Sequence, residues 1–324
     1  MRLGIIGTGR IARRFVPECV AVSGIDVTVV YNPHPGKAQH FINDIWDIQA
    51  SEQPVGISDI AGLWNRADAI YIASPHETHY GYIMEALKHG KHVICEKPMT
   101  LNGSQAEEAF EYARTHDAVL IEGIKTAYCP GYRKILDIIN NGDIGEVRHM
   151  EACFTKLEKE DSRELNDTLY GGSFTELGSY VMLPVLDILG KDSRDISFDS
   201  INSDKGIDIF TKSDFRYKDS MATLLCGLGV KSEGRLIISG TRGYIKADAP
   251  WWKTSHIEVH FEDESKTIFY DEPFEGDGLR YEIQALLELI QSNKSERAGK
   301  IKYAEYRSVA MAVIMEKFLS GRDV

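Results

Sequence analysis

Two short segments of the sequence carry residue types with chemistry in them. The first is Gly7-Thr8-Gly9-Arg10-Ile11-Ala12, a G-x-G-x-x-A pattern directly after the apolar run Arg2–Ile6. Gly7 permits a tight strand-to-helix turn, Gly9 lets a phosphate approach the backbone, and Ala12 allows close packing of helix on strand. The N–H groups at the start of the following helix, with its positive dipole end, would face a pyrophosphate. The second is Glu96-Lys97-Pro98, at the end of the apolar run His92–Cys95. An ammonium at a strand end can polarise an alcohol or carbonyl oxygen and stabilise negative charge developing on it. Fingerprint and lysine together predict hydride chemistry on a nicotinamide dinucleotide.

These segments need a scaffold, and the first third of the chain reads as one. Apolar strands are expected at Arg2–Ile6, Asp26–Tyr31, Ala69–Ala73, His92–Cys95 and Val119–Glu122, with helices between them. One helix runs to about Val22 and another spans Thr78–His89. A third opens at Ser104, with Glu107 completing a capping box. Strands alternating with helices predict a parallel α/β sheet of the dinucleotide-binding kind. After residue 123 the pattern changes. Helices are expected near 131–141 and 173–189. Strands are expected at 146–156, 196–202, 206–215, 221–228, 234–240, 243–248, 256–261 and 266–270, and two helices, near 278–292 and 303–319, follow. The Ser239–Gly243 stretch reads as a hairpin turn. The expectation is an α/β chain in two domains: a Rossmann domain over 1–122, and an α+β domain over 123–324 on a mostly antiparallel open sheet.

Residues 71–101, YIASPHETHYGYIMEALKHGKHVICEKPMTL, carry a more specific pattern. A strand ends in Ser74-Pro75, a histidine follows at 79, then a helix, A-L-x-x-G-K-H-V, and E-K-P. With 121–145, 171–180 (GGSFTELGSY) and 240–244 (GTRGY), this resembles the glucose-fructose oxidoreductase / inositol dehydrogenase / MocA family over essentially the whole chain. The resemblance implies that Lys97 lies beside the nicotinamide, and that Ser74, Pro75, His76, His79 and Glu96 line the cofactor site. Many relatives carry an Asp and, four residues later, a His after the double glycine; here those places hold Glu176 and Tyr180, a spacing that shares one helix face. Tyrosine in place of histidine resembles the branch with dimeric dihydrodiol dehydrogenase, where it is the expected proton donor. A free phenol, with a pKa of about 10, exchanges protons poorly at neutral pH, and a nearby ammonium favours its ionised form. Glu176 and Lys125 are expected to contact substrate. Lys125 departs from the family, which has an apolar residue there and an arginine at the place of Ala127.

The remaining features narrow the partners. The 324 residues include 37 basic and 49 acidic side chains, a net charge of −12, which argues against nucleic acid and anionic membranes. NAD and NADP both stay open. The second strand ends in Tyr31-Asn32-Pro33-His34, with Lys37 beyond; Asn32 can bond a ribose hydroxyl without repelling a phosphate, and His34 could meet one. The five scattered cysteines contain no Cys-x-x-Cys pair, and the first residues show no charged-then-apolar leader, so a cytoplasmic protein without disulfides is expected. His76 and His79 have metal-like spacing but no complementary ligands nearby, so no metal is expected. The substrate class expected is a sugar, cyclitol or trans-diol, and the assembly a homodimer or higher oligomer, with Ile237 and Ile245 on an open sheet face. A cofactor-binding regulator of the same fold is the alternative function.

Overall fold

Strands built from Val, Ile and Leu with apolar residues on both faces must be covered on both sides, and parallel sheets flanked by helices satisfy that demand. In the computed structural model, which describes residues 1–46 and 53–321, β1 (Arg2–Ile6), β2 (Asp26–Tyr31), β3 (Val55–Ile57), β4 (Ala69–Ile72), β5 (His92–Glu96) and β6 (Leu120–Gly123) form one such sheet. Its order is β3-β2-β1-β4-β5-β6, and every pairing is parallel. Its helices are α1 (Arg10–Val20), α2 (Lys37–Ile45), α3 (Ala61–Trp64), α4 (His79–Lys88) and α5 (Gly103–Thr115). β4 is buried along its whole length. Phe15 of α1 stacks on Tyr71 of β4 at 3.5 Å between ring centroids, which seats the helix that follows the glycine turn.

The rest of the chain supplies α6 (Pro130–Asn140), β7 (Val147–Thr155), α7 (Ser173–Ile188), β8 (Asp195–Asn202), β9 (Asp208–Arg216), β10 (Met221–Gly227), β11 (Leu236–Gly240), β12 (Gly243–Ala247), β13 (His256–Phe261) and β14 (Ile268–Asp271). These strands form an eight-stranded sheet, β14-β13-β12-β11-β7-β10-β9-β8. It is antiparallel except where β10 runs parallel to β7. The hairpin at Ser239–Gly243 is present as the β11–β12 turn. α8 (Leu279–Gln291) and α9 (Lys294–Ser320) follow. Among the described residues no helix is long and apolar enough to cross a membrane.

Three particulars differ from the sequence expectation. The chain divides into one compact unit of Met1–Lys125 with Gly276–Val313, and a second of Thr126–Glu275 with Ile314–Val324. α8 and most of α9 therefore pack with the parallel sheet instead of the second one. The reason is visible in α8, where Arg280 donates to both carboxylate oxygens of Glu18 on α1, at 2.9 and 3.1 Å. The cap of α5 is Asn102, which accepts from the Gln105 N–H at 3.1 Å; Ser104 lies inside the helix and donates to Asn102. Ile245 is fully buried, so it sits on the covered face of the second sheet, opposite the open one.

Candidate active site

In an open parallel sheet, ligands bind outside the carboxyl ends of the strands, where the strand order reverses. Here the reversal lies between β1 and β4, and the expected cofactor residues follow the strand ends around it. Gly7 follows β1 with φ +103°. A Cβ there would collide with the carbonyl oxygen of Ala73 after β4, so only glycine fits. Gly9 is the N-cap of α1 and no side chain caps that end. A Cβ on Gly9 would meet nothing within 4 Å, so there is open space beside this helix start. Ala12 is fully buried. This cradle fits a dinucleotide pyrophosphate.

Asn32, after β2, donates from Nδ2 to Thr8 Oγ1 at 2.8 Å and accepts from the His34 N–H at 3.0 Å. Its amide ties the glycine turn to the next loop. Arg10, His34 and Lys37 are exposed, and Ile11 is half-buried. After β4, the Thr78 hydroxyl donates to the Pro75 carbonyl and shares a hydrogen bond with the Ser74 hydroxyl, both at 2.7 Å. His79 is fully buried. Its Nδ1 lies 2.9 Å from the Pro98 carbonyl and its Nε2 2.9 Å from the Ser74 carbonyl. With both nitrogens so engaged, His79 offers none to a metal, although the His76 ring lies 5.6 Å away.

Lys97 is half-buried at the end of β5. The carboxyl before it, Glu96, accepts from the Tyr71 hydroxyl at 2.6 Å. Burial pushes the Glu96 carboxyl up, against the pull of the Lys97 ammonium. Glu122 on β6 accepts from the Met99 N–H at 2.9 Å and from the Ser308 hydroxyl at 2.7 Å. Lys125 is 5% exposed, and its ammonium donates to the Asp277 carbonyl.

The other expected residues belong to the second unit. Asp208 of β9 accepts from the Ser173 hydroxyl and the Phe174 N–H, at 2.7 and 2.8 Å, and so caps α7. Glu176 stands in the first turn of α7 and pairs with Arg163 at 2.6 Å. Tyr180, one turn on, lies 5.0 Å from the Phe154 ring, which stacks on Trp252 at 3.5 Å. The cysteines are all buried, and burial pushes the Cys95 and Cys226 thiols well up, against any nucleophilic role.

Residues 1–124 match the family described as "Oxidoreductase family, NAD-binding Rossmann fold", and residues 132–246 match the C-terminal domain of the same Gfo/Idh/MocA group. The chain belongs to the Gfo/Idh/MocA oxidoreductase family. The scyllo-inositol 2-dehydrogenase (NADP(+)) of Bacillus subtilis is 26% identical over 98% of this chain and 95% of its own. A trans-1,2-dihydrobenzene-1,2-diol dehydrogenase of Xenopus laevis is 24% identical over 90% of each. A 3-ketoreductase from Actinomadura kijaniata, solved with NADP and TDP-benzene, shares the fold at a TM-score of 0.79 and 21% identity, over 98% and 96% of the two chains.

This oxidoreductase therefore uses NAD(P), and its glycine turn is shaped for that cofactor. Sequence reasoning missed Arg163 and Asp208, which fix Glu176 and the start of its helix, and Glu122, which holds the Met99 N–H two residues after Lys97. None carries a local signal, because each acts on a partner 13 or more positions away. A separate group, Asp248, His256 and Glu258, brings its ligand atoms within 4.8 Å of one another. The Lys246 ammonium already lies 2.8 Å from Glu258 and 3.8 Å from Asp248, so this is a charge ladder on the β12–β13 face.

Proposed function

We propose that this family member interconverts a secondary alcohol and a ketone on a sugar, cyclitol or trans-diol. Lys97 polarises the reacting oxygen and Tyr180 carries its proton. The observation that carries the reading is Lys97 at the end of β5, on the sheet edge where the Gly7 turn and the Ser74 loop also lie. When bound, the nicotinamide donates or accepts the hydride. The turn Gly7–Ala12 holds the pyrophosphate, and Asn32 keeps that turn in place. His34 is the nearest expected partner of the ribose end, with no carboxylate among Asn32–Lys37 to repel a 2′-phosphate.

Lys97 removes charge cost from the oxygen in both directions. As an alcohol is oxidised, its oxygen must lose a proton, and an ionised Tyr180 phenol would be a base for it; in reduction the phenol would return the proton. Glu176, neutralised by Arg163, can accept hydrogen bonds from substrate hydroxyls. Lys125 supports a different role from the one expected: buried on the Asp277 carbonyl, it anchors the loop before α8.

Names borne by relatives supply the substrates to try. Steady-state assays at the reduced-nicotinamide absorbance should show turnover with scyllo-inositol, a trans-dihydrodiol or a hexose with NAD or NADP. Tight NADPH binding without turnover on all three classes would replace this reading with a cofactor-binding regulator.

We also propose a homo-oligomer formed through the open face of the second sheet. Ile237 and the 40%-exposed Tyr244 point to that face, among Lys246, Glu258 and Glu151. The face is largely polar, so the interface is expected to be wet. Light scattering at micromolar concentration should give at least twice the chain mass, and a monomer only would refute the assembly.

A further inference from the structure

The Pro98 carbonyl and the Met99 N–H belong to one peptide group, and two buried side chains hold its two ends. His79 Nδ1 meets the oxygen at 2.9 Å, and Glu122 Oε1 meets the N–H at 2.9 Å. That peptide is the second after Lys97. We propose that His79 is a buried imidazolium and Glu122 its carboxylate counterpart, and that together they are positioning residues that aim Lys97. The inference rests on the reading of Lys97 given above.

The charge states follow from the partners. His79 has a carbonyl oxygen 2.9 Å from each ring nitrogen, and a carbonyl only accepts hydrogen bonds. A neutral imidazole donates from one nitrogen, so its other lone pair would face an oxygen lone pair at that distance. The doubly protonated ring donates to both. Glu122 is the reverse case: an N–H and a hydroxyl both donate to it, one to each oxygen, which favours its carboxylate form against the upward push of burial. Each buried charge thus has hydrogen bonds and an opposite charge across a single peptide.

Full burial of the ring disfavours its charged form, and the helix it opens also opposes the cation. His79 opens α4, whose positive dipole end disfavours it. Two charge-assisted bonds are each about twice as strong as neutral ones, and they act directly on the ring. The other ionisable neighbours are His76, edge-on at 5.6 Å, Lys97 itself, a like charge just before the peptide, and on the Glu122 side the buried Arg307 of α9, whose charge with that of Lys97 also favours the Glu122 carboxylate. A cation on the oxygen and an anion on the N–H also polarise the peptide in the same direction, so the two grips reinforce one another.

The clamp joins three strand ends. Ser74 follows β4, Pro98 follows β5, and Glu122 lies within β6. Through Ser308 it also reaches α9. A displacement of this peptide moves Lys97 relative to the Gly7 turn, and a shift of about 1 Å in a reacting group can cost on the order of 100-fold in rate.

Nitrogen-15 NMR of the full chain labelled at histidine, with the His79 signals assigned by their loss in His79→Gln, tests the charge directly. Both ring nitrogens are expected to be protonated at pH 8, where an ordinary imidazole with a pKa of about 6.5 is neutral. In Glu122→Gln the ring is expected to lose one proton. In the same variant kcat is expected to fall about 10- to 100-fold while the NADPH dissociation constant stays within about twofold. Ser308→Ala, which leaves Glu122 in place, should show the same split more weakly and guards against a variant that fails to fold. A neutral His79 ring at pH 8, or an unchanged kcat in a folded Glu122→Gln protein, overturns the proposal. The ring signals do not depend on turnover, so failure of the Lys97 assignment, read from Lys97→Ala, is seen separately.

Discussion

Lys97→Ala is expected to lower kcat by about 10²- to 10⁴-fold, the usual contribution of a positioned acid–base group, equivalent to about 3–5 kcal/mol of barrier. NADPH affinity should change by less than about tenfold, because the Gly7–Ala12 turn carries the pyrophosphate independently of the lysine. Lys97→Arg should recover little. A guanidinium keeps the charge, but its planar fork cannot take the place of a compact ammonium on one oxygen. Tyr180→Phe keeps the ring against Phe154 and removes only the hydroxyl, so its loss should fall on kcat and leave KM nearly unchanged. If Lys97→Ala and Tyr180→Phe both retain full turnover, the assignment of the acid–base groups is wrong, and the proton must move through another group at the sheet edge.

The parts of this site that were legible in the sequence are those whose signal is local. The glycine turn and the strand before Lys97 each announce themselves within a few residues. The parts that were not legible act through space. His79, Pro98 and Glu122 meet only because β4, β5 and β6 lie side by side, and no spacing rule links residues 79, 98 and 122. The edge of the parallel sheet was also missed. β3 has three residues, none of them fully buried, too short for an alternation to register. α2 begins after a left-handed Gly36 with no capping side chain, so it lacks the usual start signal. Ile245 was placed on the wrong face because alternation alone does not say which face is covered; α7 packs against β7, β9 and β10 on the side to which Ile245 points.

Glu282→Gln is expected to stabilise the protein at alkaline pH and to leave it nearly unchanged in mild acid. Glu282 lies in the first turn of α8, fully buried, and among the described residues neither carboxyl oxygen has a hydrogen-bond partner. Burial, and then the neighbouring Glu96 charge, push this carboxyl well above the usual carboxylate range, against the weaker pull of Lys125. The folded protein therefore holds a proton that the unfolded chain releases. Stability from such a group is present below the ordinary carboxyl pKa and is lost as pH rises through the raised one. Glutamine has the shape of the protonated acid and no charge to desolvate, so its stability should vary less between pH 5 and pH 9. At the upper end the variant should be clearly the more stable of the two, because it has no proton to lose. Glu96 and Glu122, whose carboxyls burial also pushes up, remain in the variant and should keep part of the slope. Urea unfolding of both proteins across that range measures the difference. A variant destabilised equally at every pH would mean that Glu282 is ionised in the fold, with Lys125 as its counter-charge; the same charge would then bear on Glu96, next to Lys97, the lysine proposed to polarise the reacting oxygen.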